Sequence, residues 1–287
     1  MEVLVNGRWH DESKTPMLAL DRGFLFGDGL FETIAIVDGR PVMLDDHVRR
    51  MLEGARLLRF AAHPDEQRLR EIVSSSIERK RVVHGSLRIT LTRGMGGIHT
   101  PLSDLTQYTV TVELRPLPED RRLFQTDSFP NASAVIVSTR RNPSSILPRV
   151  KSLNYLDNIL AKDEARRKQG DEALFRDPQG YLAEGAGSNL FVVQDGKVLT
   201  PTADGSLLPG TVRQAVLALC PKLGLECRET KLSPGELLQA EEAFLTNAVW
   251  GIRPLCRVDG SLIGKGTPGP ISLRLLQAFR EAVEAGW

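Results

Sequence analysis

Hydrophobic and polar positions along the first half of the chain follow two periods in turn. Apolar residues alternate with polar ones in some stretches, which is typical of half-buried strands, and recur at helical spacing in others. Asp38-Gly39 separates two apolar runs and supplies the positive φ angles of a two-residue hairpin turn. The pattern predicts strands at 2–6, 31–37, 40–43, 86–92 and 108–114, a helix capped by Asp45 or Asp46, and a helix over about 66–80.

The pattern stops at Arg115 and resumes near Asn131, because prolines and charged residues fill the segment between them. Beyond this segment the spacing predicts hairpins over about 172–200 and a helix that begins at Thr211 and ends near Pro221. Further predicted elements are strands at 134–138, 225–231, 243–248 and 252–258, a short helix from Ser233, and helices over about 153–168 and 270–285.

These elements favour two domains of different character. We expect a smaller α/β domain at 1–117, a linker at 118–131, and a larger strand-rich domain at 132–287. The length of 287 residues agrees, since it suggests about two domains of roughly 150 residues each. The chain has no internal repeat and no low-complexity segment.

Composition favours a small molecule as the partner. Lys and Arg total 37 against 36 for Asp and Glu, so the chain lacks the basic excess of a nucleic-acid binder. The three cysteines form neither a CxxC motif nor a Cys/His cluster, which argues against a disulfide framework or a zinc site. Neither a signal-peptide layout nor an apolar run of about 18 residues occurs. We expect a cytoplasmic protein that binds no metal, nucleic acid or membrane.

Two residues could carry chemistry on a cofactor ring. Lys151 follows a proline-bearing loop and is flanked by Val150 and Leu153. Most lysines are solvated surface charges, but a partly desolvated ammonium has the lowered pKa that a Schiff-base nucleophile requires. Glu184 is either a surface carboxylate in a hairpin or an acid that keeps a heterocyclic nitrogen protonated. The small residues at 185–187 would allow a flat ring to approach the backbone.

Two further features could bind a phosphate. The segment LPGTVR at 208–213 opens a helix, and a helix N-terminus offers N–H groups and a favourable dipole to an anion. Arg50, in HVRRM, is either a helix-surface charge or a phosphate ligand. Each signal is weak alone, but their joint presence in this order is specific.

Six segments carry a family resemblance. DRGFLFGDGLFET, HVRRM, KSLNYLDNILAK, EGAGSNLF, LPGTVRQA and FLTNAVWGIRPL resemble, in sequence and order, the class IV aminotransferases. That family comprises branched-chain aminotransferases, D-amino-acid aminotransferases and 4-amino-4-deoxychorismate lyases. The resemblance spans nearly the whole chain. It implies an α+β protein of fold type IV with pyridoxal 5'-phosphate (PLP) as cofactor. An N-terminal α/β domain would pack on a C-terminal pseudo-barrel domain that carries the PLP lysine, with the active site between them, usually in a homodimer.

The same resemblance implies roles for individual residues. Lys151 becomes the Schiff-base lysine and proton shuttle, Glu184 the partner of the pyridine nitrogen, and Arg50 a phosphate ligand. Tyr155 lies one residue closer to the lysine than the tyrosine of branched-chain enzymes does, so its bond to the phenolic oxygen of the cofactor is only one option. The remaining implied phosphate ligands are the backbone N–H groups of Thr211 and Val212, together with Ala248 or its neighbour Asn247.

Three features favour the lyase, which would yield 4-aminobenzoate and pyruvate for folate synthesis. Phe31-Glu32-Thr33 and the segment around Asn247 resemble the lyases, as does the RGMGG run at 93–97. That run lacks the Arg-x-His element common in D-amino-acid aminotransferases, whereas Tyr155 departs from the lyases. The alternative is an aminotransferase that acts on D-amino acids or branched-chain L-amino acids. A remote alternative is a non-catalytic ligand-binding protein on the same fold.

Substrate contacts are less well specified. Arg93 and Arg253 are candidates for binding substrate carboxylates, because the guanidinium group suits bidentate recognition, but each could equally be a surface charge. Thr33 is a candidate pocket hydroxyl. Arg22, next to Asp21, is interpreted as one half of a structural ion pair.

Overall fold

Two compact units make up the chain. The computed structural model describes residues 2–15, 18–117 and 131–287. The described residues up to 117 form one unit together with Val150–Asn154, here called the N-terminal unit. Residues 131–149 and Tyr155–Trp287 form the C-terminal unit. The expected linker at 118–131 lies outside the described residues except for Asn131.

The described part of the N-terminal unit contains an antiparallel sheet of six strands in the order β2-β1-β6-β5-β3-β4. The hairpin at Asp38-Gly39 is confirmed, since both residues have positive φ angles of 50° and 73° and Val37 pairs with Arg40. The strands are β1 (Glu2–Val5), β2 (Arg8–Asp11), β3 (Gly29–Val37), β4 (Arg40–Pro41), β5 (Gly85–Thr92) and β6 (Thr109–Pro116).

The helices of this unit are α1 (Arg22–Phe26), α2 (Leu44–Leu57) and α3 (Glu66–Lys80). The apolar faces of α2 and α3 pack on the sheet and form one core with its strands. The predicted cap of α2 is wrong, because Met43 is the N-cap residue and both aspartates lie within the first turn. Their charges still favour the N-terminal end of the helix dipole. The sequence pattern missed α1, which has five residues and exposes most of its apolar side chains.

The C-terminal unit contains a mixed sheet of nine strands among its described residues. Eight of them run in the order β12-β11-β10-β13-β14-β7-β8-β9, and β15 pairs with β14. The central pairs β14–β7 and β7–β8 are parallel, whereas β10, β13 and β14 are antiparallel neighbours. The strands are β7 (Ala132–Arg140), β8 (Glu172–Arg176), β9 (Leu182–Gly185), β10 (Asn189–Gln194), β11 (Lys197–Pro201), β12 (Cys227–Thr230), β13 (Glu242–Asn247), β14 (Gly251–Val258) and β15 (Ser261–Leu262).

Four α-helices belong to this unit as described: α4 (Leu156–Arg167), α5 (Thr211–Lys222), α6 (Pro234–Gln239) and α7 (Pro270–Glu284). Ser233 caps α6 in a capping box with Glu236, as its position before the helix predicts. Helix α5 begins at Thr211 and ends at Lys222, one residue after Pro221, as the sequence predicts. In the described ranges no helix is both long and apolar enough to span a bilayer, and Cys220, Cys227 and Cys256 are free thiols.

The segment Val150–Asn154 differs from the sequence expectation, which assigned Lys151 to the C-terminal domain. Its backbone pairs with the start of β3: Phe31 N–H donates to the Lys151 carbonyl at 2.9 Å, and Leu153 N–H donates to the Gly29 carbonyl at 3.0 Å. Val150 is also part of the N-terminal core. These contacts group the lysine with the N-terminal unit.

Candidate active site

Lys151 is held beside an aromatic ring of the N-terminal unit. Its Nζ lies 4.5 Å from the centroid of the Phe31 ring, and both residues are fixed by the backbone bond between them. Gly29 allows this close pairing, because a Cβ there would lie 2.6 Å from Leu153 Cδ1 and 2.7 Å from the Leu91 carbonyl oxygen. A lysine on a β-paired segment with an aromatic neighbour is a well-positioned nucleophile.

Arg88 also contacts the Phe31 ring, with Cζ 3.7 Å from its centroid. The two distances place Arg88 Cζ at most about 8 Å from Lys151 Nζ. Arg88 was not among the residues predicted from the sequence. Its position in the alternating buried and exposed residues of β5 was the available signal. Arg88 pairs with Thr33 on the neighbouring strand β3. Thr33 itself is partly exposed on β3.

Arg50 is held by a buried carboxylate. Its Nε donates to Glu32 Oε1 at 2.8 Å and its Nη2 donates to Glu32 Oε2 at 2.6 Å, so the pair is bidentate. His47 Nδ1 lies 2.7 Å from the same Oε2. Arg50 and His47 lie one turn apart on α2, which directs both toward β3. The guanidinium of Arg50 is therefore fixed in position before any ligand binds.

Burial and the contacts among Glu32, Arg50 and His47 determine which of these side chains is charged. Burial alone would raise the pKa of Glu32, but Arg50 and His47 outweigh it and lower that pKa to about 2. Burial lowers the pKa of His47, and the hydrogen bond to Glu32 opposes this only in part. At neutral pH a neutral His47 thus donates to an ionised Glu32. Neither Glu32 nor His47 was predicted as a site residue, although a carboxylate inside the apolar run of β3 is a signal that the sequence offers.

Glu184 is buried in β9 of the C-terminal unit and both of its oxygens have partners. Oε1 lies 3.0 Å from Arg141 Nε, and Oε2 accepts the backbone N–H of Leu208 at 2.9 Å. The Arg141 guanidinium lies over the Phe175 ring, 3.9 Å from its centroid. The structure thus excludes the interpretation of Glu184 as a surface carboxylate. Arg141 was not predicted as a site residue, because it follows the end of β7, where the alternation of the strand gives no further signal.

The N-terminus of α5 lies close to Glu184 through the Leu208 contact. Gly210 is the N-cap residue and, among the described residues, no side chain caps this helix. Asn189 fixes the approach of the chain, because its Nδ2 donates to the Leu208 carbonyl at 2.8 Å. Thr211 and Val212, in the first turn, are buried. A helix N-terminus without a side-chain cap offers its N–H groups to an anion.

Asn247 organises the turn between β13 and β14. Its Oδ1 accepts the N–H groups of Val249 and Trp250 at 2.9 and 3.0 Å, and its Nδ2 donates to the Gly187 carbonyl at 3.2 Å. The predicted ligand Ala248 lies in this turn and is partly exposed.

Thr246, the residue before this turn, pairs with Asn189 across the sheet. The Thr246 Oγ1 is buried and has no hydrogen-bond partner among the described residues. A buried hydroxyl without a partner is uncommon in a folded protein and is typical of a site that receives a polar ligand.

Tyr155 precedes α4 and its hydroxyl donates to the Ala186 carbonyl at 3.0 Å. Asn158 Nδ2 donates to the same carbonyl at 2.7 Å. Tyr155 is therefore hydrogen-bonded to Ala186, which follows the end of β9 and lies two residues after Glu184. Its contact with a cofactor oxygen remains a prediction.

The predicted carboxylate ligands differ in their surroundings. Arg93 is buried, and its guanidinium donates to the carbonyls of Arg59 and Leu58 at 2.8 and 2.7 Å and to the Asp28 carboxylate. These bonds connect the end of β5 to the end of α2, which favours a structural role over the predicted carboxylate binding. Arg253, on β14, lies 3.5 Å from Asp171 Oδ2.

Arg22 is confirmed as an ion-pair residue, but with a different partner. Its Nε donates to Asp28 at 2.7 Å, whereas Asp21 caps α1 by accepting the Gly23 N–H.

Comparisons with known proteins agree on one family. The family model for amino-transferase class IV matches residues 29–258. D-alanine aminotransferase from Bacillus licheniformis is 30% identical over 291 residues, covering 99% of this chain and 97% of its own. The structure of the branched-chain amino acid aminotransferase from Escherichia coli is 29% identical, has a TM-score of 0.88, and is matched over 98% of this chain and 93% of its own. Another branched-chain amino acid aminotransferase of similar fold, 27% identical to this chain, was solved with pyridoxamine 5'-phosphate.

The structure of a provisionally named 4-amino-4-deoxychorismate lyase from Legionella pneumophila has a TM-score of 0.84, and the match covers 93% of this chain and 96% of its own. Its identity of 24% makes it evidence for the fold alone. Family model, relatives and fold lead to the same conclusion. The chain belongs to the class IV aminotransferases and is a PLP-dependent enzyme of fold type IV.

Proposed function

We propose that this enzyme is an amino-acid aminotransferase that moves an amino group from an amino acid to a 2-oxo acid. The observation that carries the proposal is the pair of cations on the Phe31 ring, where Arg88 lies within about 8 Å of Lys151. An α-amino acid is small enough for its amino-bearing carbon to reach the lysine while its carboxylate binds the arginine. Arginine suits this role because it binds carboxylates in a bidentate manner.

The described residues fit PLP. A phosphate needs N–H donors, which the uncapped start of α5 offers through Thr211 and Val212, and the partnerless Thr246 hydroxyl lies one residue before the Asn247 turn. A pyridine nitrogen needs a carboxylate, and Glu184 is buried and oriented by two partners.

Each residue keeps the role that the family implies. Lys151 would hold the cofactor covalently through Nζ, Glu184 would accept the N–H of the pyridine ring, and Arg50 would bind the phosphate. Thr211, Val212 and the turn of Asn247 and Ala248 would donate the remaining N–H groups to that phosphate. When bound, the cofactor supplies an electron sink for the carbon that carries the amine. Lys151, once displaced by the substrate amine, would take up and return the proton at that carbon.

Two of the three features that favoured the lyase have structural explanations. Asn247 bonds three backbone groups of its own unit, so the structure of the turn accounts for an asparagine at this position. In the RGMGG run, Gly94 and Gly96 adopt positive φ angles and the Gly97 carbonyl accepts Arg22 Nη1. Both features are explained by the fold without reference to the reaction, which shifts our preference from lyase to aminotransferase.

The lyase is the second candidate. The resemblance of Phe31-Glu32-Thr33 to the lyase pattern favours it. In that reaction Lys151 and Glu184 would keep their roles, and the products would be 4-aminobenzoate and pyruvate.

The test is a panel of reactions with the purified holoenzyme. Amino transfer to 2-oxoglutarate is measured with L-leucine, L-valine and D-alanine as donors, and pyruvate release is measured with 4-amino-4-deoxychorismate. Catalytic transfer from any donor supports the proposal, and the donor identifies the substrate class and its handedness. Rapid pyruvate release without amino transfer would instead establish the lyase.

We also propose that the enzyme forms a homodimer. Leu156, Ile159 and Leu160 occupy one face of α4 at spacings of three and four residues and are 65%, 57% and 55% exposed. A large exposed apolar face on a helix is typical of an interface. The occupant is a second copy of the chain, as is usual for closed symmetric assemblies.

A further inference from the structure

Arg141 is the cation that pairs with Glu184 in the C-terminal unit. It follows directly after β7, and its backbone N–H donates to the Arg176 carbonyl at 2.8 Å. Its Nε lies 3.0 Å from Glu184 Oε1, and its Nη1 donates to Asn158 Oδ1 at 3.3 Å. The exposed fractions of the Arg141 and Glu184 side chains are 11% and 7%, so water screens this pair poorly.

The surroundings of Arg141 fix the plane of its guanidinium. The Phe175 ring, fully buried in β8, lies 3.9 Å below it. Asn158 bonds Arg141 on one side and the Ala186 carbonyl on the other. An arginine held by a ring face and an amide loses little side-chain freedom when it binds a carboxylate.

A buried carboxylate needs such a partner in order to stay ionised. Burial favours the neutral acid, whereas the backbone N–H of Leu208 favours the ionised form. The Arg141 guanidinium, whose Nε lies 3.0 Å from Glu184 Oε1, adds a favourable Coulomb interaction with the ionised form. Without Arg141, Glu184 would lose this interaction, and its ionised form would be less favourable than in the wild type.

We propose that Arg141 is a positioning residue that acts through Glu184, keeping its carboxylate ionised and oriented toward the pyridine nitrogen of the cofactor. This inference rests on the proposed role of Glu184. Arg141 exerts its effect on the reaction only through the carboxylate.

The test is a double-mutant cycle of full-length proteins: wild type, Arg141→Met, Glu184→Gln and the double variant. Arg140→Met is the matched control, because Arg140 is the exposed neighbour on β7 whose Nη1 donates to the Asp177 carbonyl. Turnover of the loaded enzymes is measured first. The pH dependence of unfolding is then measured on the same proteins after removal of the cofactor.

In the turnover measurement, Arg141→Met should lower kcat by about 10- to 100-fold, which corresponds to a change of about one to two units in the pKa of the carboxyl when a poorly screened ion pair is lost. The same change in the Glu184→Gln background should have little further effect, and Arg140→Met should leave kcat unchanged. Arg141→Lys keeps the charge without the planar group and should recover part of the lost turnover. If the losses of the two single variants multiply in the double variant, Arg141 does not act through Glu184.

The cofactor-free measurement separates charge from packing. In Arg141→Met the buried carboxyl resists ionisation, so stability relative to wild type should fall as the pH rises above about 4 to 5, where an ordinary glutamate ionises. Adding Glu184→Gln should remove that pH dependence. A pH-independent loss that the second substitution does not change would assign Arg141 a packing role and overturn the inference.

The two proposals can fail separately. If Glu184→Gln alone keeps full turnover, the proposed role of Glu184 is wrong. If Glu184→Gln is impaired but Arg141→Met is additive to it, the role of Glu184 stands and only the inference on Arg141 fails.

Discussion

Replacing Glu32 with glutamine should show how strongly the buried cluster around Arg50 depends on one carboxylate. The substitution keeps the size of the side chain and removes its charge, which leaves Arg50 without its bidentate partner. The pKa of Glu32 is lowered from 4.5 to about 2, and each unit is worth 1.36 kcal/mol, so the ionised carboxylate contributes about 3 kcal/mol near neutral pH. That agrees with the 3 to 5 kcal/mol typical of breaking a buried ion pair.

The sign of the pH dependence follows from the direction of the shift. A carboxyl with a lowered pKa stabilises the fold above its ordinary pKa, and this contribution is lost as the pH falls toward 2. The difference between wild type and Glu32→Gln should therefore be about 3 kcal/mol at pH 7 and fall to less than half of that by about pH 3. His47 adds to the acid sensitivity of the wild type, because its lowered pKa makes protonation below about 6.5 unfavourable in the folded state.

Denaturant unfolding followed by Trp9 fluorescence would measure this difference. Trp9 lies on β2 in the N-terminal unit, and conversion of Trp250 and Trp287 to phenylalanine leaves it as the single reporter. Glu66→Gln is the control, since Glu66 forms an exposed pair with Arg70 on α3 and should change stability by at most about 1 kcal/mol. A loss in Glu32→Gln no larger than in this control, or one that does not shrink with acid, would refute the reasoning.

Three further predictions test the site and the assembly. Lys151→Ala should abolish both the yellow colour that borohydride bleaches and the activity, and a variant with near-normal turnover would contradict the assignment of the lysine. Arg88→Gln should raise the KM for the amino donor at least about 10-fold, the worth of a charge-assisted bond, with cofactor binding unchanged. Arg115→Gln, on the exposed end of β6, is its control, and equal effects of the two changes would remove Arg88 from the substrate site. Ile159→Glu should convert a dimer to a monomer in light scattering, whereas Leu238→Glu on α6 should not; a wild-type monomer would exclude the proposed interface.

Helices and strands could be predicted best where the hydrophobic residues kept one period over the whole element. The hairpin at Asp38-Gly39 and helix α3 follow from local chemistry alone, because turn and cap residues flank a clear pattern. The motifs also allowed the family and the fold to be predicted, since the spacing and the order of the segments are properties of the sequence. Element α1 was not predicted, because it is short and buries little apolar surface.

Partners within the site could not be derived from the sequence. Glu32 and Arg50 are 18 positions apart, and Arg141 and Glu184 are 43 apart, so only the tertiary packing brings each pair together. Arg93 is the opposite case. Its motif predicted a contact with the substrate, but its guanidinium donates to backbone carbonyls at the end of α2. The local sequence indicates the chemistry that a side chain offers, whereas the tertiary structure determines which side chains it contacts.

The most direct test of the proposed aminotransferase is the half-reaction of the holoenzyme with an amino donor and no acceptor. L-leucine, L-valine or D-alanine is added to the yellow enzyme, and the cofactor spectrum is recorded together with the 2-oxo acid released. We predict that at least one donor bleaches the cofactor to its amine form and releases one equivalent of 2-oxo acid per bound cofactor. A spectrum unchanged by all three donors, from enzyme that releases pyruvate from 4-amino-4-deoxychorismate, would contradict the aminotransferase and establish the lyase.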